Sequence, residues 1–166
     1  MKNKNLILYI LAVLCAVSVI VMAVALSLRK ERRAEFVPPP FDSSALAGRP
    51  AVPDDLGWSE IYSDGMSFKA YLCGKLVFNG NTAPIYLYNT EGNEVWLKLR
   101  IYGESGKILG ETGLIKPGEY IESSTFNTVP KNGETVKMKI MSYEPETYYS
   151  EGAVVLSTTA RIGGWK

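Results

Sequence analysis

Four cations set at alternate positions of two apolar stretches carry the densest chemistry in this 166-residue chain. Lys98 and Arg100 alternate with Leu97, Leu99 and Ile101, and Lys137 and Lys139 alternate with Val136, Met138 and Ile140. In a β-strand a period of two sends the cations to one face and the aliphatic side chains to the other. The same alternation puts Trp96, Tyr102, Met141 and Tyr143 beside the cations, on an exposed sheet face. Were the two stretches neighbouring strands, like charges would oppose each other, and such a clustering would suit an anionic partner such as a phosphate-rich wall polymer or an acidic protein surface. The simpler explanation is that lysines keep an exposed sheet from aggregating while glutamates on adjacent strands neutralise them.

Other chemistries are poorly supplied. The chain has no histidine, which removes Ser-His-Asp and Cys-His nucleophilic sites and the commonest zinc ligand. Cys15 lies within an apolar run, leaving Cys73 alone in the remainder, so no disulfide is expected there. A lone cysteine in a strand reads as a small buried apolar group. Glu144-Pro145-Glu146-Thr147-Tyr148-Tyr149 sets two carboxylates near aromatic rings, a pattern compatible with calcium or carbohydrate. Two acids are too few for a calcium site, however, and a solvated loop accounts for them equally well, as it does for Asp54-Asp55. No catalytic, cofactor-binding or metal-binding residue is assigned, no cofactor is expected, and the chain reads as a non-enzyme. Gly57 to Lys166 carries 11 Lys/Arg against 12 Asp/Glu, without the basic excess of a nucleic-acid binder.

The elements that must position the cations are short strands separated by turn residues. Glu94–Tyr102 and Thr135–Tyr143 alternate most strictly. Leu72–Phe78 (bent at Gly74), Pro84–Tyr88, Lys107–Gly113, Glu119–Phe126 and Gly152–Ile162 complete about seven strands. Turns are expected at Asn79-Gly80-Asn81, Glu91-Gly92-Asn93, Gly103–Gly106, Lys116-Pro117-Gly118 and Lys131-Asn132-Gly133. Pro117-Gly118 suits the centre of a type II turn, the glycine supplying a positive φ. Nothing after residue 34 shows a helical period, so the fold class is all-β, an antiparallel sandwich.

The segments Leu114-Ile115-Lys116-Pro117-Gly118-Glu119 and Val129-Pro130-Lys131-Asn132-Gly133, the latter leading into the Val136 strand, resemble those of bacterial immunoglobulin-like and fibronectin type III-like modules of cell-surface proteins. The resemblance covers roughly Leu72 to Ile162. It implies a sandwich architecture and a surface setting, and it implies that the third and sixth strands are neighbours. That adjacency would bring Trp96, Lys98, Arg100, Tyr102, Lys137, Lys139 and Tyr143 together as a binding face. The chain lacks the paired cysteines of antibody domains, and Trp96 falls on the outward face.

Ahead of this lies Leu6–Leu28, with no charge, glycine or proline. As a helix it would span roughly 34 Å, enough for the ~30 Å core of a bilayer. Lys2 and Lys4 precede it, and Arg29, Lys30, Arg32 and Arg33 follow. The run is longer than a signal-peptide core, although Ala23-Val24-Ala25 resembles a cleavage site. The expected organisation is residues 1–34 as basic leader, transmembrane helix and basic flank, 35–60 as a Pro-rich linker, and 61–166 as an Ig-like domain. Pro38-Pro39-Pro40 would form an extended stalk, or a ligand for a proline-recognising domain. The positive-inside rule favours a cytoplasmic C-terminal side, whereas a basic leader before an apolar run begins export signals. The reading adopted is a single-pass protein anchored through residues 6–28, its domain extracytoplasmic, binding or scaffolding in a bacterial envelope. The alternatives are a cleaved, secreted binding module and an accessory subunit of a membrane complex.

Overall fold

The computed structural model describes residues 2–28, 36–61, 65 and 68–163. The basic flank at 29–33 and Glu35 lie outside the described residues. The chain divides into two compact units, Met1–Val37 and Pro38–Lys166. In the first, α1 (Lys2–Leu28) is a helix of 27 residues. Its stretch Asn5–Ala25 has a mean hydropathy of 3.0, is long and apolar enough to cross a membrane, and has none of its surface buried. A helix satisfies its own backbone groups, which suits an apolar surrounding. The Ser18 hydroxyl does the same locally by donating to the Leu14 carbonyl at 2.6 Å.

Among its described residues the second unit is all-β, with ten strands: β1 (Leu46–Ala47), β2 (Trp58–Ile61), β3 (Ala70–Cys73), β4 (Leu76–Phe78), β5 (Thr82–Asn89), β6 (Trp96–Tyr102), β7 (Ile108–Glu111), β8 (Glu119–Thr125), β9 (Thr135–Tyr143) and β10 (Ser150–Ile162). They form two five-stranded sheets, ordered β1-β8-β5-β3-β2 and β4-β10-β9-β6-β7. Strand pairing is antiparallel except for β4 with β10, where Leu76 stands opposite Ala160. The core lies between the sheets, where Leu72, Leu87, Leu97, Leu99, Ile121 and Ile140 are among the side chains closed off from water. Burying each such side chain is worth about 1.5–3 kcal/mol, which is why the inward row is apolar through Leu97, Leu99 and Ile101 of β6 and Val136, Met138 and Ile140 of β9, with Ser142 at the end of β9 donating to the Gly152 carbonyl.

The expected strand at Leu72–Phe78 breaks at Gly74 into two strands that belong to different sheets. Gly74 is pinned there: its N–H donates to the Gly57 carbonyl at 3.0 Å, and a Cβ would stand only 3.2 Å from that oxygen. Two turns use one local solution. Glu119 Oε2 accepts from the Lys116 N–H at 2.7 Å, and Glu134 Oε2 accepts from the Lys131 N–H at 2.8 Å. In each, a glycine with positive φ, Gly118 or Gly133, precedes the glutamate. The Lys-x-Gly-Glu spacing closes a tight turn and lets the acid satisfy the N–H at the turn's first residue.

The proline-rich segment is not a stalk in this structure. Residues 38–60 belong to the folded unit and contribute β1, β2 and the buried Leu56. Pro40 and Asp42 hydrogen-bond along the chain at Leu114, and the Asp42 carboxylate accepts from the N–H groups of Ser44 at 2.9 Å and Gly113 at 2.7 Å. Gly113 makes the contact sterically feasible, since a Cβ there would come within 2.4 Å of the Asp42 nitrogen. Further on, Leu56, Val52 and Trp58 close over Tyr86 and Cys73 in a second, smaller apolar cluster. An irregularity in β5 between Pro84 and Leu87, with Tyr86 at φ 41°, presents the Tyr86 carbonyl to Trp58 Nε1 at 2.8 Å. Composition misleads here because individual side chains and backbone bonds, rather than a periodic stripe, attach the segment.

Candidate functional site

The strands carrying the four cations are neighbours. In the β6–β9 register Trp96 faces Tyr143, Lys98 faces Met141, Arg100 faces Lys139 and Tyr102 faces Lys137. The rows continue onto the flanking strands, with Glu111 of β7 beside Arg100 and with Ala153, Val155 and Ser157 of β10 beside Met141, Lys139 and Lys137. One outer sheet face therefore holds all seven residues singled out from the sequence.

Their exposures differ from the expected open face. Lys137 is exposed and Arg100, Lys139, Tyr102, Tyr143 and Trp96 are partly covered, but Lys98 and Met141 are buried. Lys98 is only 6% exposed. Its ammonium lies 3.1 Å from Glu111 Oε1, while Arg100 Nε donates to Glu111 Oε2 at 2.7 Å. Burial pushes the Glu111 carboxyl up, but the hydrogen bonds from Lys98 and Arg100 outweigh it and hold the group below the usual carboxylate range. Tyr102 and Glu111 together raise the Arg100 guanidinium, against the opposing effect of burial. A buried ammonium needs such a partner, because an isolated charge out of water is strongly disfavoured. Among the described residues no carboxylate lies within ion-pair distance of Lys137 or Lys139. Two of the four cations thus share one carboxylate, and the other two, both lysines, sit two residues apart on the same face.

The other end of the face is aromatic. Trp96 meets Phe41 edge-on at 4.7 Å between ring centres and Tyr148 at 5.1 Å. The Lys116 ammonium stands 4.9 Å above the Phe41 ring, and Tyr143 Oη lies 3.7 Å from the Met141 sulfur. Phe41 and Glu111 were not among the residues singled out, and Tyr148 was named only within the 144–149 loop, not with this face. Glu111 was legible as an acid in the adjacent strand, whereas Phe41 acts from a segment without a pattern.

The loop after β9 is tightly built. Glu144 N–H donates to the Tyr149 carbonyl, Tyr148 N–H to that of Glu144, and Thr147 Oγ1 to Glu144 Oε2 at 2.6 Å. Glu146 and Tyr148 adopt left-handed conformations, φ 72° and 59°, each costing about 1–2 kcal/mol without glycine. The loop brings Tyr148 against Trp96, and Tyr149 projects outward, 73% exposed. The described residues contain no group of three or more His, Cys, Asp or Glu able to hold a metal ion. Burial, and secondarily Asp55, push the Cys73 thiol up to about 12, so it is held as an unreactive thiol at neutral pH.

The opposite sheet carries a second array. Glu60, Tyr71, Tyr88, Tyr120 and Leu46 stand in one row across β2, β3, β5, β8 and β1. Trp58 stacks on Tyr71 at 4.7 Å, and the Arg49 guanidinium lies 5.3 Å and 5.2 Å from the two rings.

No protein-family model matches this chain, and no curated protein or solved structure is detectably similar to it.

Proposed function

We propose that this chain is a single-pass, membrane-anchored protein presenting an immunoglobulin-like binding or scaffold module on the extracytoplasmic side of a bacterial envelope. Strand order supports the immunoglobulin-like reading. One chain segment passes from β3 in the first sheet to β4 in the second, β4 runs parallel to β10, and the order β10-β9-β6 follows the last, penultimate and third long strands expected of such modules. The anchor reading is supported by α1, whose apolar stretch Asn5–Ala25 has no buried surface.

The observation that carries a binding role is the outer face of β6 and β9, where Arg100, Lys137 and Lys139 lie beside Trp96 and Tyr143 and, among the described residues, Glu111 alone forms an ion pair, with Lys98 and Arg100. An anionic ligand would find two uncompensated ammonium groups and an aromatic shelf within one sheet face, so the partner is an acidic envelope protein or a phosphate-rich wall polymer. Function on this reading comes from contact rather than catalysis.

Two experiments test it. Protease shaving of intact protoplasts should digest the β-unit and leave α1 in the membrane fraction. Recovery of the mature domain from culture medium, starting near Leu26, would overturn the anchor. Replacing Lys137 and Lys139 with alanine should abolish retention on a phosphate-rich wall polymer, and unchanged retention would overturn the basic face as the contact.

A further inference from the structure

Sheet edges in this protein are mostly short. β1 has two residues, β2 and β7 four each, and β4 only three. β4 covers no more than Ala160–Ile162 of β10, so the side of β10 turned away from β9 runs on beyond it. Among the described residues, no strand pairs with that side from Gly152 to Thr158. The stretch is bounded at one end by a register irregularity between Ser150 and Gly152, and at the other by Thr158 Oγ1, which donates to the Gly74 carbonyl at 2.7 Å. Between these limits the sequence is Gly-Ala-Val-Val-Leu-Ser-Thr, with no charge and no proline. Val155 at its centre is 54% exposed. Open edges are ordinarily protected by lysine, proline, bulges or brevity, and this interval has none of them.

We propose that Gly152–Thr158 of β10 pairs antiparallel with the same stretch of a second copy of this chain, about a two-fold axis passing at Val155. The sequence is self-complementary in that arrangement. Val155 meets Val155, Val154 meets Leu156, Ala153 meets Ser157 and Gly152 meets Thr158, so each pair keeps its core-facing or outward-facing side. No like charges are opposed, and Glu151 falls outside the interval. Seven residues give an edge of about 24 Å, rich in main-chain hydrogen bonds but smaller in area than the ~1,000 Å² of a tight interface. Pairing is therefore weak between free molecules and is strengthened when both copies are held in one bilayer, a gain that rests on the anchor reading above. The two-fold axis stands perpendicular to the sheet, so both copies turn the β6–β9 face the same way. Lys139 is the partner of Val155 on β9, which sets the two Lys139 strands about 14 Å apart across the junction.

The test uses the full chain in detergent with Cys15→Ser. Val155→Cys should give a disulfide-linked dimer on mild oxidation, whereas Ser105→Cys, on a distant exposed loop, should not. Val155→Lys and Val155→Glu, each checked for native circular dichroism, should weaken self-association at least about tenfold, and mixing the two should restore a dimer. A wild-type chain that stays monomeric at every concentration would overturn the proposal, as would a dimer insensitive to Val155→Lys. Lys137→Ala with Lys139→Ala should leave the dimer intact, which separates this edge from the polymer-binding reading.

Discussion

The two outer faces of the sandwich are finished in different ways. Over β5 and β3, the proline-rich segment lays Leu56, Val52 and Trp58 across Tyr86 and Cys73, and Arg49 caps the Trp58–Tyr71 stack. Over β6 and β9 the covering stops at Phe41, and among the described residues Lys137 and Lys139 have no carboxylate within ion-pair distance. An aromatic-rich sheet face can thus be completed by the chain itself or left with surplus charge, and the proposed contact falls on the second.

Removing the cover should produce the largest effect. Trp58→Ala deletes the ring that closes the smaller cluster and the hydrogen bond to the Tyr86 carbonyl, and should cost about 3 kcal/mol in a denaturant titration. Its local signature is Cys73, whose thiol is now shielded and held at about 12, and which should react with a disulfide reagent many times faster in the variant.

Acid should loosen the same cover at its other end. Burial raises the Asp42 carboxyl, but hydrogen bonds from Ser44 and Gly113 outweigh it and leave the group lowered from 3.8. Glu111 is likewise lowered from 4.5. A depressed folded value means that the stabilisation is fully present above the ordinary carboxylate range and is lost as pH falls through the folded values. Urea midpoints should therefore be flat near neutrality and fall below about pH 4. Asp42→Ala should flatten that fall and cost about 1–2 kcal/mol at neutral pH, since it removes acceptors of two backbone N–H groups.

On the open face the effects are smaller. Glu111→Gln strips Lys98 of its counter-charge and should cost about 1 kcal/mol, the partly exposed acid being screened by water. Adding Lys98→Met should recover that loss, because a buried ammonium is replaceable by an apolar group of similar shape. Replacing Lys137 and Lys139 with alanine should move stability by no more than about 0.5 kcal/mol, so any loss of ligand retention would report on contact rather than folding. If the Lys137/Lys139 pair proves strongly stabilising instead, the contrast between the faces is wrong.

Much of this was legible from residues 94–102 and 135–143, where period-two alternation separates Leu97, Leu99 and Ile140 from Arg100 and Lys139. The lysine-containing turns were legible too, from glycine at the position that takes positive φ. Neither the burial of Lys98 nor that of Met141 could be read from alternation, which assigns a face but not what lies over it. Glu111 pairs with Lys98 and the Tyr143 hydroxyl lies against the Met141 sulfur, while Phe41 reaches Trp96 from more than fifty residues away in sequence. The segment 38–60 looked like spacer because prolines, serines and small residues carry no period; its attachment depends on Asp42, Gly113, Leu56 and Trp58 acting singly. Gly74 announced a bend, yet not that the chain would change sheets there.

The strip at Pro40–Asp42 has a mechanical consequence. It is the first part of the folded unit met by any tension travelling along the chain from its N-terminal side, and it is fastened by the backbone bonds to Leu114 and by the carboxylate grip on Gly113. Those few bonds would part before the load reached β2 or the main core. Pulling would then lift Phe41 off Trp96 first, turning stretch into newly available aromatic surface while Tyr148 stayed against that ring and the rest of the domain stayed folded.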